Sequence, residues 1–137
     1  MYWAEDRLGP ERIKGAYAYK RLLKENGWLP LGTDFPIENI NPLYTFYAAV
    51  ARKDLKGYPE NGWQPENALS REEALKGMTI WAAKGSFEED VKGSIEPGKF
   101  ADFVILGKDI MSVEIDMVPQ VKVISTWVNG EKVNENH

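Results

Sequence analysis

The chain has 137 residues and no cysteine, and its formal net charge is −4, with basic residues scattered among acidic ones. This length suffices for one domain with its own core, and the lack of cysteine excludes disulfides, thiolate catalysis and thiolate metal ligands. The negative charge without a basic patch argues against a nucleic-acid partner, and no apolar run reaches the roughly 18 residues that a membrane span needs.

The first residues and the single histidine bear on location and on metal binding. Residues 1–6 have neither the basic start nor the apolar core of a secretory signal, so we expect a cytoplasmic protein that contacts no membrane. The histidine is His137, the last residue, which we expect to be frayed. A zinc site with several imidazole ligands therefore cannot be assembled from this chain alone.

The first predicted element is a helix over residues 10–25. A Gly-Pro-Glu sequence at 9–11 marks its start, because proline fits the first helical position and glutamate complements the helix dipole. The pair Asn26-Gly27 marks its end, as in a left-handed C-terminal cap.

An apolar run that ends abruptly at a carboxylate is the next feature. We expect a strand over 28–33 that delivers Asp34 to the mouth of a site, after which Phe35-Pro36 turns the chain. A proline inside this strand is unusual, because it cannot donate to a central ladder. From the residues alone, we favour a second interpretation, in which the Asp34 side chain only caps a turn.

Two more helices are predicted on either side of a loop. An Asn-Pro pair at 41–42 begins a helix over 42–52, and Ser70 with Glu73 forms a capping box that begins a helix over 70–84. The intervening segment is rich in Gly, Pro, Asn and Lys and is predicted to be a surface loop. Its Trp63 either anchors the loop or lines a substrate entrance, and we favour anchoring.

The last third of the sequence changes from helical to strand patterns. Strands are predicted over 101–106, 121–128 and 131–134, after turn-forming residues at 93–99. An Asn-Gly pair at 129–130 joins the last two strands and is a strong hairpin signal.

Three sequence blocks, taken together, resemble one known family. They are LGPER at 8–12 with GAY at 15–17; GTDFP at 32–36 with NPL at 41–43; and LSREEAL at 69–75 followed by GSIEPGKFADF at 93–103. In this order they resemble the C-terminal part of amidohydrolase family 3, a branch of the metal-dependent amidohydrolase superfamily. The resemblance covers nearly the whole chain.

The resemblance implies an α/β parent fold, a (β/α)₈ metal-dependent hydrolase barrel (a TIM-like barrel) plus a small β-sandwich. This chain would be its C-terminal fragment, with mixed α and β structure. Residues 1–92 would form the last β/α units of the barrel, and residues 93–137 the C-terminal strands of the composite β-sandwich.

The resemblance also implies a chemistry and a site. The family holds one or two divalent metals, usually zinc, and hydrolyses carbon-nitrogen bonds of small amide- or formamide-like molecules. Asp34 matches the aspartate that approaches the metal and takes a proton from the attacking water, so it is the expected catalytic and metal-contacting residue. Asp102 belongs to a matching block that is structural in the family.

The family's metal-binding histidines lie on earlier strands and have no counterpart in this sequence. We therefore expect a fragment that binds no metal alone and is inactive by itself. A strand without its barrel neighbours leaves open edges, so a homo-oligomer is a further expectation. The alternative is a non-catalytic regulatory or partner-binding domain derived from an amidohydrolase.

Overall fold

Helices occupy the first part of the chain and strands the last part in the computed structural model, which describes residues 2–135 and their side chains, that of Tyr2 excepted. The helices are α1 (Tyr2–Arg12), α2 (Tyr19–Asn26), α3 (Pro42–Ala51), α4 (Arg71–Met78) and α5 (Ile80–Gly85), and the strands are β1 (Phe103–Leu106), β2 (Val123–Val128) and β3 (Glu131–Glu135). Short 3₁₀ helices cover Ile13–Gly15, Pro65–Asn67 and Ile115–Gln120. His137 lies outside the described residues.

The predicted helix over 10–25 is wrong in its middle, where the chain forms a break between α1 and α2. Tyr17 has a φ of 55°, a left-handed conformation that an α-helix does not accommodate. α1 is itself kinked at Gly9, where φ is 70°, immediately before the proline predicted to start the helix. The predicted end is confirmed, since Gly27 has a φ of 79° and its N–H donates to the Leu23 carbonyl at 2.8 Å.

The predicted strand over 28–33 is also wrong, because this segment forms no ladder with any other part of residues 2–135. It runs irregularly against α4, where the Leu31 N–H donates to the Gly77 carbonyl at 2.9 Å. A Cβ on Gly77 would lie 2.7 Å from Leu31 Cγ, so glycine allows this close approach. A strand requires a paired neighbour, and none of the described strands lies beside this segment.

The core is built around α3, whose bounds match the prediction closely. Asn41 caps it, its side chain accepting from the Leu43 N–H at 3.0 Å. Phe46 is 0% exposed and Val118 is equally buried. The residues that share this cluster are Leu23, Leu43, Phe46, Ala49, Leu69, Ala74, Ile110, Val118 and Val121. The apolar stripe of α3 therefore packs against α2, α4 and the 3₁₀ turn near Val118.

The capping box before α4 is present as predicted, but the helix behind it is broken. Ser70 Oγ accepts from the Glu73 N–H at 3.2 Å, and Glu73 Oε2 accepts from the Ser70 N–H at 2.7 Å. The predicted single helix over 70–84 divides at Thr79, whose hydroxyl donates to the Leu75 carbonyl at 2.7 Å. Such a bond back to the preceding turn bends helices.

The strands form one antiparallel sheet in the order β1-β2-β3. The predicted hairpin is confirmed, with φ values of 51° at Asn129 and 81° at Gly130, as a type I′ turn requires. Asp102 Oδ1 accepts from the Asn129 N–H at 2.7 Å, which gives Asp102 the structural role expected of it. Phe103 stacks on Trp127 with ring centroids 5.5 Å apart.

Much apolar surface of the sheet remains uncovered. Every residue of β3 is exposed, Val133 at 59%, and Val104 and Val128 are also exposed on the neighbouring strands. The chain is thus a mixed α and β structure with a small antiparallel sheet. Within residues 2–135 no helix has the length and apolar character that crossing a membrane demands.

Candidate functional site

A groove of about 780 Å³ opens beside Asp34. Its walls come from the 29–34 segment, from the side of α3 and from the loop that follows α3. Among the side chains that line it, those able to bind a ligand or take part in a reaction include Asp34, Tyr47, Arg52 and Trp63.

Asp34 reaches the groove because of its backbone conformation. Its φ is 58°, a left-handed value that costs most residues roughly 1–2 kcal/mol and that Asp tolerates better. Its carbonyl accepts from the N–H groups of Ile37 and Glu38 at 2.9 and 3.3 Å, which closes the turn. The Phe35 N–H donates a hydrogen bond to the Thr33 hydroxyl oxygen at 3.3 Å.

The carboxylate of Asp34 is exposed and accepts no hydrogen bond from any described residue. The Asp34 side chain therefore does not cap the turn. The hydrogen bonds of this turn are made by the Asp34 backbone carbonyl and by the Thr33 side chain. An unpaired carboxylate in an open groove is free to accept a proton or to contact a cation.

Tyr47 fixes α3 to the C-terminal part of the chain. Its hydroxyl donates to Asp116 Oδ1 at 3.0 Å. Burial and this hydrogen bond raise the pKa of Tyr47 to about 12, so the phenol stays protonated at neutral pH. Tyr47 therefore acts as a donor and gives the groove a rigid wall.

Arg52 is a groove residue that the sequence interpretation missed. It ends α3 in a left-handed conformation, with φ 56°, and its side chain is only 8% exposed. Its Nε donates to the Trp63 carbonyl at 3.0 Å, and its guanidinium carbon lies 5.5 Å from the Tyr19 ring centroid and 5.3 Å from that of Trp63. The sequence gives only a weak indication of this role, because the arginine directly follows an apolar helix.

Trp63 anchors the loop as predicted and also lines the groove. Its Nε1 donates to Glu5 Oε1 at 2.6 Å, and its backbone N–H donates to the Arg52 carbonyl at 2.7 Å. Its ring meets that of Tyr17 edge-on at 5.7 Å. Glycine precedes it, and a Cβ on Gly62 would lie 2.7 Å from the Ala51 carbonyl oxygen, so the loop crosses α3 in close contact.

The described residues do not complete a metal site. Nowhere in residues 2–135 do three side chains of the Asp, Glu, His or Cys types come together. Asp34 fits a divalent cation as one oxygen ligand, whereas a catalytic zinc takes about three protein ligands. Further ligands would have to come from outside this set of residues.

The chain belongs to the amidohydrolases and, within them, to family 3, because the model of that amidohydrolase family matches residues 1–134. The putative amidohydrolase YtcJ of Bacillus subtilis is 33% identical over 97% of this chain. The N-substituted formamide deformylase of Arthrobacter pascens is 32% identical over 73% of it. Protein LONG AFTER FAR-RED 3 of Arabidopsis thaliana is 38% identical over 93% of it.

Solved structures give the same relationship. An uncharacterized metal-dependent hydrolase from Pyrococcus horikoshii superposes with a TM-score of 0.70 and 36% identity over 83% of this chain. An amidohydrolase from Thermotoga maritima superposes with a TM-score of 0.60 and 25% identity over 88%. The chain spans 21%, 25% and 18% of the Arabidopsis, Bacillus and Arthrobacter proteins, and 23% and 26% of the Pyrococcus and Thermotoga structures.

Proposed function

We propose that this chain is the C-terminal segment of a metal-dependent hydrolase that cleaves the carbon-nitrogen bond of a small amide- or formamide-like substrate. The observation that carries the proposal is the unpaired, exposed Asp34 carboxylate in the groove, within the GTDFP block. The family match and a relative named as a formamide deformylase support the reaction class. A neighbour described as a metal-dependent hydrolase supports the metal.

The proposed placement within the parent is that residues 1–92 form the last β/α units of a TIM-like barrel and residues 93–137 belong to a composite β-sandwich. The 28–33 segment supports the first part, because it pairs with no described strand and most of its backbone groups could bond to neighbouring strands. The uncovered apolar surface of the sheet supports the second, because a sandwich buries such a surface against a second sheet.

In this proposal Asp34 is the general base and a metal contact. Its carboxylate accepts the proton of the attacking water and holds it for the leaving nitrogen. A divalent metal, which we expect to be zinc, would lower the pKa of a water bound to it. Since residues 2–135 contain no group of three potential ligands and the proposal assigns only Asp34 among them, the remaining ligands would lie elsewhere in the parent.

The proposal is tested by measuring zinc content and turnover for this chain and for the full-length enzyme that contains it. We expect the full-length enzyme to hydrolyse an N-substituted formamide and to lose turnover when zinc is chelated. We expect the 137-residue chain to retain no zinc after dialysis and to show no turnover. One tightly bound zinc per isolated chain, or turnover in the full-length enzyme that resists chelation, would contradict the proposal.

A further inference from the structure

Arg52 is a buried charge that forms no direct ion pair, although the carboxylate of Glu66 stabilises the charge from a greater distance. Its guanidinium makes one hydrogen bond to the rest of residues 2–135, from Nε to the Trp63 carbonyl, and no carboxylate of that part of the chain forms an ion pair with it. Its Nη2 is buried with no hydrogen-bond partner. Buried charges in proteins are normally paired, because desolvation of an unpaired ion costs several kcal/mol.

The surroundings of Arg52 stabilise the charge but do not neutralise it. The rings of Tyr19 and Trp63 attract a cation through their faces, yet a ring has no lone pair for an N–H donor. Asn67 Oδ1 is the other buried side-chain atom without a partner among the described residues, and it is a neutral acceptor. Neither the rings nor the more distant Glu66 accepts a hydrogen bond from the guanidinium, so Nη2 lacks an acceptor and a carboxylate oxygen would supply one.

Arg52 lines the same groove as Asp34. A planar guanidinium matches the two oxygens of a carboxylate better than a lysine ammonium does, because it donates two parallel hydrogen bonds. A groove of about 780 Å³ has room for a small molecule that places one end at Asp34 and the other at Arg52.

We infer that Arg52 binds a carboxylate group of the small molecule that occupies this groove, so that the substrate is an amide that carries a free carboxylate. This inference rests on the proposed function in so far as the groove is the substrate site. Because Nη2 is shielded from solvent, binding requires a side chain that covers it to move. The ring of Trp63, which contacts the guanidinium, is therefore the natural reporter.

The test compares two probes on the 137-residue chain, N-acetylglycine and N-acetylglycinamide, which differ by a carboxylate against a neutral amide. Binding is followed by the NMR signal of the Trp63 indole N–H. We expect the acid to bind about 10- to 100-fold more tightly, as a charge-assisted pair implies. Equal affinities would overturn the inference.

Substitutions show whether Arg52 causes the preference for the acid over the amide. Arg52→Gln should lower the affinity for the acid to that for the amide, and Arg52→Lys should restore only part of it. Lys56→Gln is the matched control, since it removes the same charge from an exposed position of the neighbouring loop outside the groove. If Lys56→Gln weakens binding as much as Arg52→Gln does, net charge explains the preference and the inference fails.

Two further outcomes of this experiment also decide for or against the inference: a variant that does not fold, and a dimer that requires Arg52. If Arg52→Gln does not fold, the comparison of acid and amide on the unaltered chain, with Lys56→Gln, decides alone. If a dimer that requires Arg52 forms and N-acetylglycine does not dissociate it, the carboxylate comes from a second copy and the small-molecule assignment is overturned. Failure of the proposed function is separate, because it would appear as unchanged turnover of Asp34→Asn with carboxylate binding intact.

Discussion

The core around α3 and the segment that carries Asp34 are built in opposite ways. Phe46, in α3, has no exposed surface and lies among aliphatic side chains from four parts of the chain. Phe35, beside Asp34, is 60% exposed, and Ile37 and Ile40 that follow it are exposed as well. The described residues thus stabilise their own core but leave the candidate catalytic segment uncovered. Stability and chemistry should therefore respond to different mutations.

The largest expected effect is on chemistry. Asp34→Asn in the full-length enzyme should lower turnover by about 10²–10⁴, the usual effect of removing a positioned general base. The melting temperature should change little, because an exposed side chain of the same shape remains. Asp90→Asn, an exposed carboxylate outside the groove, is the control. Unchanged turnover would overturn the catalytic assignment of Asp34.

Removing one phenylalanine side chain from each region should show how differently the two regions contribute to stability. Phe46→Ala should destabilise the chain by about 3–5 kcal/mol, because it leaves a cavity in the packed core. Phe35→Ala should change the free energy of unfolding by about 0.5 kcal/mol or less. Denaturant unfolding of both variants measures the difference. Equal losses would mean that the Asp34 segment is covered in solution, which would contradict the difference in packing between the two regions.

A smaller effect is expected from acid, through the capping box of α4. Burial by itself raises the pKa of Glu73, but its hydrogen bonds with Lys20 and Ser70 outweigh this and lower the pKa below the usual value. The stabilisation is present above the unfolded-state pKa of about 4.3 and is lost as the pH falls through the lower folded-state pKa.

Ser70→Ala should cost about 1 kcal/mol at pH 7, and Ser70→Thr should recover most of it. The backbone N–H of residue 70 remains in the alanine variant, but the side-chain hydrogen bond that also lowers the pKa of Glu73 is lost, so this variant should lose slightly less stability between pH 7 and pH 3 than the parent chain does. Urea unfolding at several pH values tests this, and an unchanged acid dependence in Ser70→Ala would refute it.

The smallest expected effect is weak self-association through the open sheet. β3 is an exposed edge strand with one side unpaired, so the sedimentation coefficient should rise with concentration. Val133→Lys places a charge on β3 and should weaken association severalfold, whereas Val91→Lys, an exposed valine away from the sheet, should not. A monodisperse monomer at high concentration would contradict the prediction.

Local chemistry made some elements predictable. Asn41 before a proline and the Ser70–Glu73 box satisfy backbone N–H groups with atoms close in sequence, and Asn129 and Gly130 both tolerate the positive φ that their turn needs. The carboxylate of Asp34 could be located for a similar reason, through the motif around it.

Long-range contacts made other features unpredictable. The 28–33 segment has a strand sequence, yet pairing depends on neighbours that no local pattern specifies. The break at Thr79 involves the approach of Gly93, on which a Cβ would lie 2.9 Å from the Ile80 Cα. Arg52 gained its significance only from the rings of Tyr19 and Trp63, which fold around it from separate parts of the sequence.

The glycine of α4 that touches Leu31 makes the position of Asp34 sensitive to a distant helix. A single methyl group at Gly77 would lie 2.7 Å from Leu31 Cγ and 3.0 Å from the Leu29 carbonyl oxygen, so the segment would have to shift. Asp34 follows Leu31 by three residues, and a displacement of about 1 Å at a catalytic group can lower a rate by about a hundredfold. In a genetic screen for loss of activity, alanine at position 77 should therefore appear among the inactive alleles, although Gly77 does not itself line the groove.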